Sequence, residues 1–176
     1  MNQTREVLIS VKTFSDQNLT VMKSVVRAIS AYVDIVKVSS IYRVDRAAES
    51  LVSLRDIRKE EHLECFATVL LINALDEPKK LLERLQDVEK LHQKEYLHRS
   101  VSINLLMCDR DVIMLPGLSV PHPEMHLRPE EIVLSTEVAA DFLHPVLNEN
   151  LAELARKYAG AKWGEFFAQG LSLLES

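Results

Sequence analysis

The scarcity of glycine sets the first limit on what this chain can become. It has four glycines in 176 residues, and the first is Gly117. Loops that cradle phosphates rely on glycine, because the backbone must adopt positive φ and lie close to the anion. No such loop can form in the first two thirds of the chain, which excludes Walker-type nucleotide binding and the dinucleotide-binding fingerprint. The length fits one domain over residues 1–176. A hydrophobic content of 47% is enough for a sizeable core, and the net charge of -5 argues against nucleic-acid or anionic-membrane partners. No apolar run is long enough for a signal peptide or a membrane span. Cys65 and Cys108 match no metal or redox spacing, so two buried, reduced thiols in a cytoplasmic protein are expected.

Periodicity then orders the chain. Arg5 to Val11 is a short β-branched run, read as a strand. Ser15 to Asn18 offers helix caps, and Leu19, Met22, Val25, Val26, Ile29 and Val33 follow helical spacing. Asp34 to Val44 alternates as one second strand, and Asp45 to Glu60 reads as a loop with room for a short helix. His62 to Ala74 is a long apolar strand, followed by a helix opening at Pro78 with a stripe through Leu81, Leu82, Leu85, Val88 and Leu91. Ser100 to Met107 is a fourth strand. Asp111 to Leu115 is expected to pair with it as a hairpin around Cys108-Asp109-Arg110. Prolines 116, 121, 123 and 129 break the next stretch into loop. Helices are predicted at Pro129 to Leu134, Asn148 to Tyr158 and Glu165 to Leu174. The order β-α-β-β-α-β-β predicts an α+β fold, a ferredoxin-like sandwich with a largely antiparallel sheet and helices packed on it.

Several segments, in order, resemble the 6-hydroxymethyl-7,8-dihydropterin pyrophosphokinase (HPPK) family. Val38-Ser39-Ser40-Ile41-Tyr42-Arg43 resembles its V-S-S-x-Y strand, and Asp76 to Leu82 its acidic-x-P helix start. Leu118-Ser119-Val120-Pro121-His122-Pro123, followed by Met125 and Arg128, resembles its P-H-P segment. Glu137-Val138-Ala139-Ala140 and His144-Pro145 match later landmarks, so the resemblance covers roughly Glu6 to Leu154 and leaves 155–176 as a helical extension. The resemblance implies transfer of pyrophosphate from ATP to a reduced pterin, with magnesium, in folate biosynthesis. It also implies nucleotide-binding roles for Arg99, His122 and Arg128.

The chain departs from that pattern where the metal chemistry sits. The family's fourth strand carries two aspartates one residue apart, which share a strand face and bridge two magnesium ions. Here Ser102 and Asn104 stand at those places, inside Arg99-Ser100-Val101-Ser102-Ile103-Asn104-Leu105. Both offer oxygen without charge, so ordinary magnesium-dependent transfer is expected to be lost. The family's pterin-binding asparagine falls at Ala67, and the place of its stacking aromatic ring reads Pro129-Glu130-Glu131. ATP and magnesium are the cofactors only if the family activity survives; otherwise none is assigned. Nucleotide or pterin is the expected small-molecule partner, with a homo-oligomer or protein partner as the further possibility.

Each site residue has a plainer alternative. His122 and Arg128 could bind an anion or merely tie down a proline-rich loop, and Arg99 could bind phosphate or cap a strand. Ser102 and Asn104 could line a pocket or be ordinary polar positions on a solvated face. His122 and His126 have zinc-like spacing, but Pro123 and Pro129 oppose the helix that would align them. Glu89 and Glu95 read as solvated helix charges. The aromatic stretch Lys162 to Phe167 is expected to pack on its own domain or a partner subunit.

Overall fold

The computed structural model describes residues 3–15, 17–44, 64–92 and 101–175. Strand β1 (Arg5–Phe14) is followed by helix α1 (Asn18–Ser30), β2 (Asp34–Val38), β3 (Ile41–Val44) and β4 (Cys65–Ala74). Helix α2 (Pro78–His92), β5 (Val101–Cys108), β6 (Ile113–Leu115) and β7 (Leu118–Val120) come next. Then follow α3 (Pro129–Ala139), α4 (Leu151–Ala155) and β8 (Gly164–Ala168). The main sheet runs β5-β1-β4-β3-β8, with β2 also on β4, and its pairings are all antiparallel. The fold is α+β, an antiparallel sheet with helices packed on it.

Alternation along the strands builds a core on each face, because successive side chains point to opposite sides. Val7, Ile9 and Val11 meet Leu70 and Ile72, and α1 and α2 close this face with Met22, Val25, Ile29, Leu81 and Leu85. The opposite face carries Leu8, Ala67, Val69, Leu71 and Leu106 under Ile132, Leu134 and Val138 of α3. Ser10 and Lys12 share that second face and are themselves buried. Both cysteines are buried, and burial pushes the Cys108 thiol up to about 12.

Four readings of the sequence need correction. The single strand over Asp34 to Val44 is two strands, parted at Ser39-Ser40. There the Ser39 hydroxyl takes a hydrogen bond from the Val69 N–H at 2.8 Å, doing a backbone carbonyl's work while the chain bends. The hairpin expected between the fourth strand and Asp111 to Leu115 is instead made by β6 and β7, across Pro116-Gly117, with Gly117 at φ +79. Cys108 to Asp111 is a turn with Asp109 at φ 48, and its Oδ1 accepts the Glu6 N–H. The helix expected over Glu165 to Leu174 is strand β8 followed by a 3-10 turn, Gly170–Leu173. Its aromatics prefer the pleated surface: Trp163 stacks on Tyr42 at 4.8 Å and Phe167 packs on Phe66 at 4.4 Å. At the start of α1, Gln17 stands in the cap position with no side-chain cap, while Ser15 accepts the Gln17 N–H. The loop expected at 45–60, together with Asp16, lies outside the described residues.

Candidate functional site

The register of the sheet sets out the site row by row. Across β5, β1, β4 and β3, one row reads Ser102, Lys12, Ala67, Tyr42, and the next begins Asn104, Ser10, Val69. Directly opposed residues of an antiparallel pair share a face, with Cβ atoms about 4.5–5.5 Å apart. Ser102 and Asn104 therefore lie beside Lys12 and Ser10 on the face covered by α3. They are half-buried rather than solvated.

The segment after β7 brings His122 to the same place. Its N–H donates to the Leu106 carbonyl at 2.8 Å, which docks the loop on the outer edge of β5. Further along that edge, the Ile103 N–H donates to Glu89 Oε1 at 2.6 Å. Glu89 is thus a strap for the edge strand, not the solvated charge expected from the sequence. The His122 Nδ1 accepts the Glu124 N–H at 3.2 Å, so a neutral ring carries its proton on Nε2. Burial lowers the His122 pKa, opposed by Glu131 and reinforced by Arg128. The imidazole is neutral at pH 7.

Helix α3 supplies the charge. Pro129 occupies its first turn, and Glu130 and Glu131 follow where the helix dipole favours carboxylates. Glu131 is fully buried; it accepts from the Ser10 hydroxyl at 2.8 Å and from Arg128 Nη1 at 2.9 Å. Burial alone would raise its pKa, but Lys12 and Arg128 reverse that and hold it below the usual carboxylate value. Lys12 Nζ donates to Glu130 Oε1 at 2.6 Å and stands 4.0 Å from Glu131 Oε1. Burial works to depress the ammonium, yet Glu131 and Glu130 lift it above the ordinary lysine value. Arg128 also reaches Glu124.

Among the described candidates, His122, Arg128, Ser102 and Asn104 converge around this cluster. Arg99 and Glu95 lie outside the described residues, as does most of the loop before β5. His126 does not join His122: its ring meets His144 edge to face at 6.2 Å, within a 3-10 turn, Met125–Leu127. Glu137 holds Ser40, accepting from its hydroxyl at 2.7 Å and its N–H at 3.1 Å. Lys12, Glu130 and Glu131 were not chosen from the sequence. The signal was there, in polar residues two apart inside an apolar strand and two glutamates following Arg128.

The comparisons with known proteins give this geometry its family. A family model for 7,8-dihydro-6-hydroxymethylpterin-pyrophosphokinase matches residues 9–140. This chain belongs to the HPPK family. A Haemophilus influenzae 2-amino-4-hydroxy-6-hydroxymethyldihydropteridine pyrophosphokinase is 29% identical over 89 residues, covering 48% of this chain and 55% of that protein. The chain thus matches about half the length of this curated relative. A Plasmodium falciparum HPPK-DHPS triple mutant with SDX-DHP superposes with a TM-score of 0.72 at 13% identity, over 90% of this chain and 45% of that one. The wild-type Plasmodium falciparum HPPK-DHPS gives 0.67 at 12% identity, over 91% and 46%. At such identities the structures speak for the fold.

The magnesium that HPPK membership implies does not fit the described residues of this face. Ser102 and Asn104 bring no charge, and the nearest carboxylates, Glu130 and Glu131, are already matched by Lys12 and Arg128. Among the described residues no group of three or more histidine, cysteine, aspartate or glutamate side chains could hold a metal ion. No helix among them is long and apolar enough to cross a membrane.

Proposed function

We propose that this HPPK-family chain has lost ordinary magnesium-dependent pyrophosphoryl transfer and keeps a small-molecule binding role on the β1/β5/α3 face. The observation that carries the reading is the paired Ser102 and Asn104 on a face whose buried carboxylates, Glu130 and Glu131, are already engaged by Lys12 and Arg128. Two dications gripping a triphosphate need fixed negative side chains, and catalysis of this type rests almost wholly on positioning and charge neutralisation. The ligand class is a nucleotide or a reduced pterin, and a protein partner or second copy remains open to the same face. With only two cysteines, the sequence carries no disulfide-dense framework of the secreted kind, which accords with a cytoplasmic location. The test is a coupled assay with ATP, magnesium and the hydroxymethyl-dihydropterin. No turnover is expected; steady AMP formation refutes the reading.

A second reading is an active pyrophosphokinase with a rebuilt metal site. It is favoured by His122, whose Nδ1 accepts the Glu124 N–H so that Nε2 carries the neutral ring's proton, with Arg128 close by. Calorimetry with a non-hydrolysable ATP analogue tests this second reading. Heat that disappears in His122→Ala supports nucleotide binding there, while undetectable binding in both proteins ends this second reading. For Arg99, a loss of affinity in Arg99→Ala would assign it to the phosphates.

A further inference from the structure

We propose that Lys12 is the resident cation of this cleft: its ammonium holds the place a divalent ion would need, so the face works without a metal and excludes one. The proposal deepens the functional reading and rests on it only in taking this face as the ligand face.

The argument starts from where the charge went. Strand β5 offers Ser102 and Asn104, but two carboxylates stand across the cleft at Glu130 and Glu131, in the first turn of α3. Lys12 lies between them and β5, because it is the β1 partner of Ser102 and its Nζ is 2.6 Å from Glu130 Oε1. The donors around that nitrogen are hard oxygens, the kind magnesium and manganese select. The Ser10 hydroxyl already orients Glu131. Among the described residues, Glu130 Oε2 is buried with no hydrogen-bond partner, on a residue only 2% exposed. A buried acceptor of that kind is a ligand atom in waiting, since an unmet carboxylate oxygen is costly away from water.

Charge decides which cation can use these oxygens. Lys12 and Arg128 offset the two buried carboxylates, Glu130 and Glu131, while Glu124, more than a third exposed, adds one negative charge on the outer side of Arg128. A dication entering with Lys12 in place would meet two fixed positive groups at low dielectric, where repulsion is poorly screened. With the ammonium removed, the carboxylates outnumber the remaining cation and Glu130 loses the hydrogen bond from Lys12. The same oxygens then become a divalent-cation site.

Manganese alone, titrated into the full chain without nucleotide, tests this. The wild type is expected to show no saturable binding. Lys12→Ala is expected to gain one saturable site, filling at manganese concentrations at least about tenfold lower than any wild-type binding. Magnesium should compete for it, and Lys12→Ala combined with Glu130→Gln should lose it. Saturable broadening of wild-type β1, β5 and α3 amide resonances by manganese overturns the proposal. So does a folded Lys12→Ala that gains no site. If Lys12→Ala does not fold with or without manganese, the wild-type lysine side-chain nitrogen resonances decide. A slowly exchanging Lys12 ammonium untouched by manganese supports the proposal, and fast exchange or loss of that signal overturns it. AMP formation by the wild type would overturn the functional reading while leaving these manganese results to stand or fall alone.

Discussion

Replacing Lys12 by methionine removes the ammonium while keeping most of the side-chain volume, which makes it the sharpest probe of this cleft. The Lys12 and Glu130 side chains are 8% and 2% exposed, and their atoms meet at 2.6 Å. Breaking a buried pair by deleting one partner typically costs about 3–5 kcal/mol, because the other charge is left buried and unmatched. An exposed pair would cost only about 0–1 kcal/mol. Against a typical domain stability of about 5–15 kcal/mol, the buried figure is a large fraction. Lys12→Met combined with Glu130→Met removes both charges, and apolar replacement of a buried pair is often neutral or stabilising by about 1–4 kcal/mol. Glu131 keeps Arg128 and Ser10 in the double variant. Urea unfolding at pH 7.5, followed by far-UV circular dichroism, measures all three proteins. The single variant should lose about 3–5 kcal/mol and the double variant should recover most of it. A single variant within about 1 kcal/mol of wild type, or a double variant as unstable as the single, would refute the claim that this pair is a buried, mutually dependent unit.

Three further outcomes follow from the packing. In Gly170→Ala the new Cβ would sit 1.9 Å from the Ser39 carbonyl oxygen and 2.7 Å from Val38 Cγ1. Overpacking there should cost about 1–3 kcal/mol or more, read as a lower Tm in a thermal scan; an unchanged Tm would contradict it. Trp163→Ala removes the ring stacked on Tyr42 and should cost about 3–5 kcal/mol in urea. Trp163→Phe should cost less, and equal costs would argue against the stack. Burial lowers the pKa of His122, His126 and His144 below the ordinary 6.5, so the unfolded chain takes up protons first as pH falls. Stability present above pH 6.5 should therefore decline below it, at up to about 1.4 kcal/mol per pH unit for the buried His144. Loss through Glu131 begins only below its unfolded value of 4.5, and loss through Lys12 only above 10.5, because their folded pKa values move down and up respectively. A urea midpoint that is flat between pH 7.5 and pH 5.5 would exclude the histidine contribution.

What the sequence determined by itself were the features written in local periodicity and in chemistry. The apolar alternation of β1 and β4 and the stripes of α1 and α2 are each encoded within a few residues, and so is the α+β class they imply. The uncharged pair Ser102 and Asn104 is equally local, since a residue two places along a strand shares its face. Tertiary structure decided whatever depends on a distant partner. Glu165 to Leu174 is amphipathic enough for a helix, yet pairing with β3 and the stack of Trp163 on Tyr42 draw its first half into the sheet. Asp111 to Leu115 could not reveal that β7, rather than β5, is its neighbour. Lys12 and Glu130 are 118 positions apart, and each alone reads as a solvated charge. Only the closure of α3 over β1 takes both out of water. Their energies then depend on each other, and that coupling makes the cleft what it is.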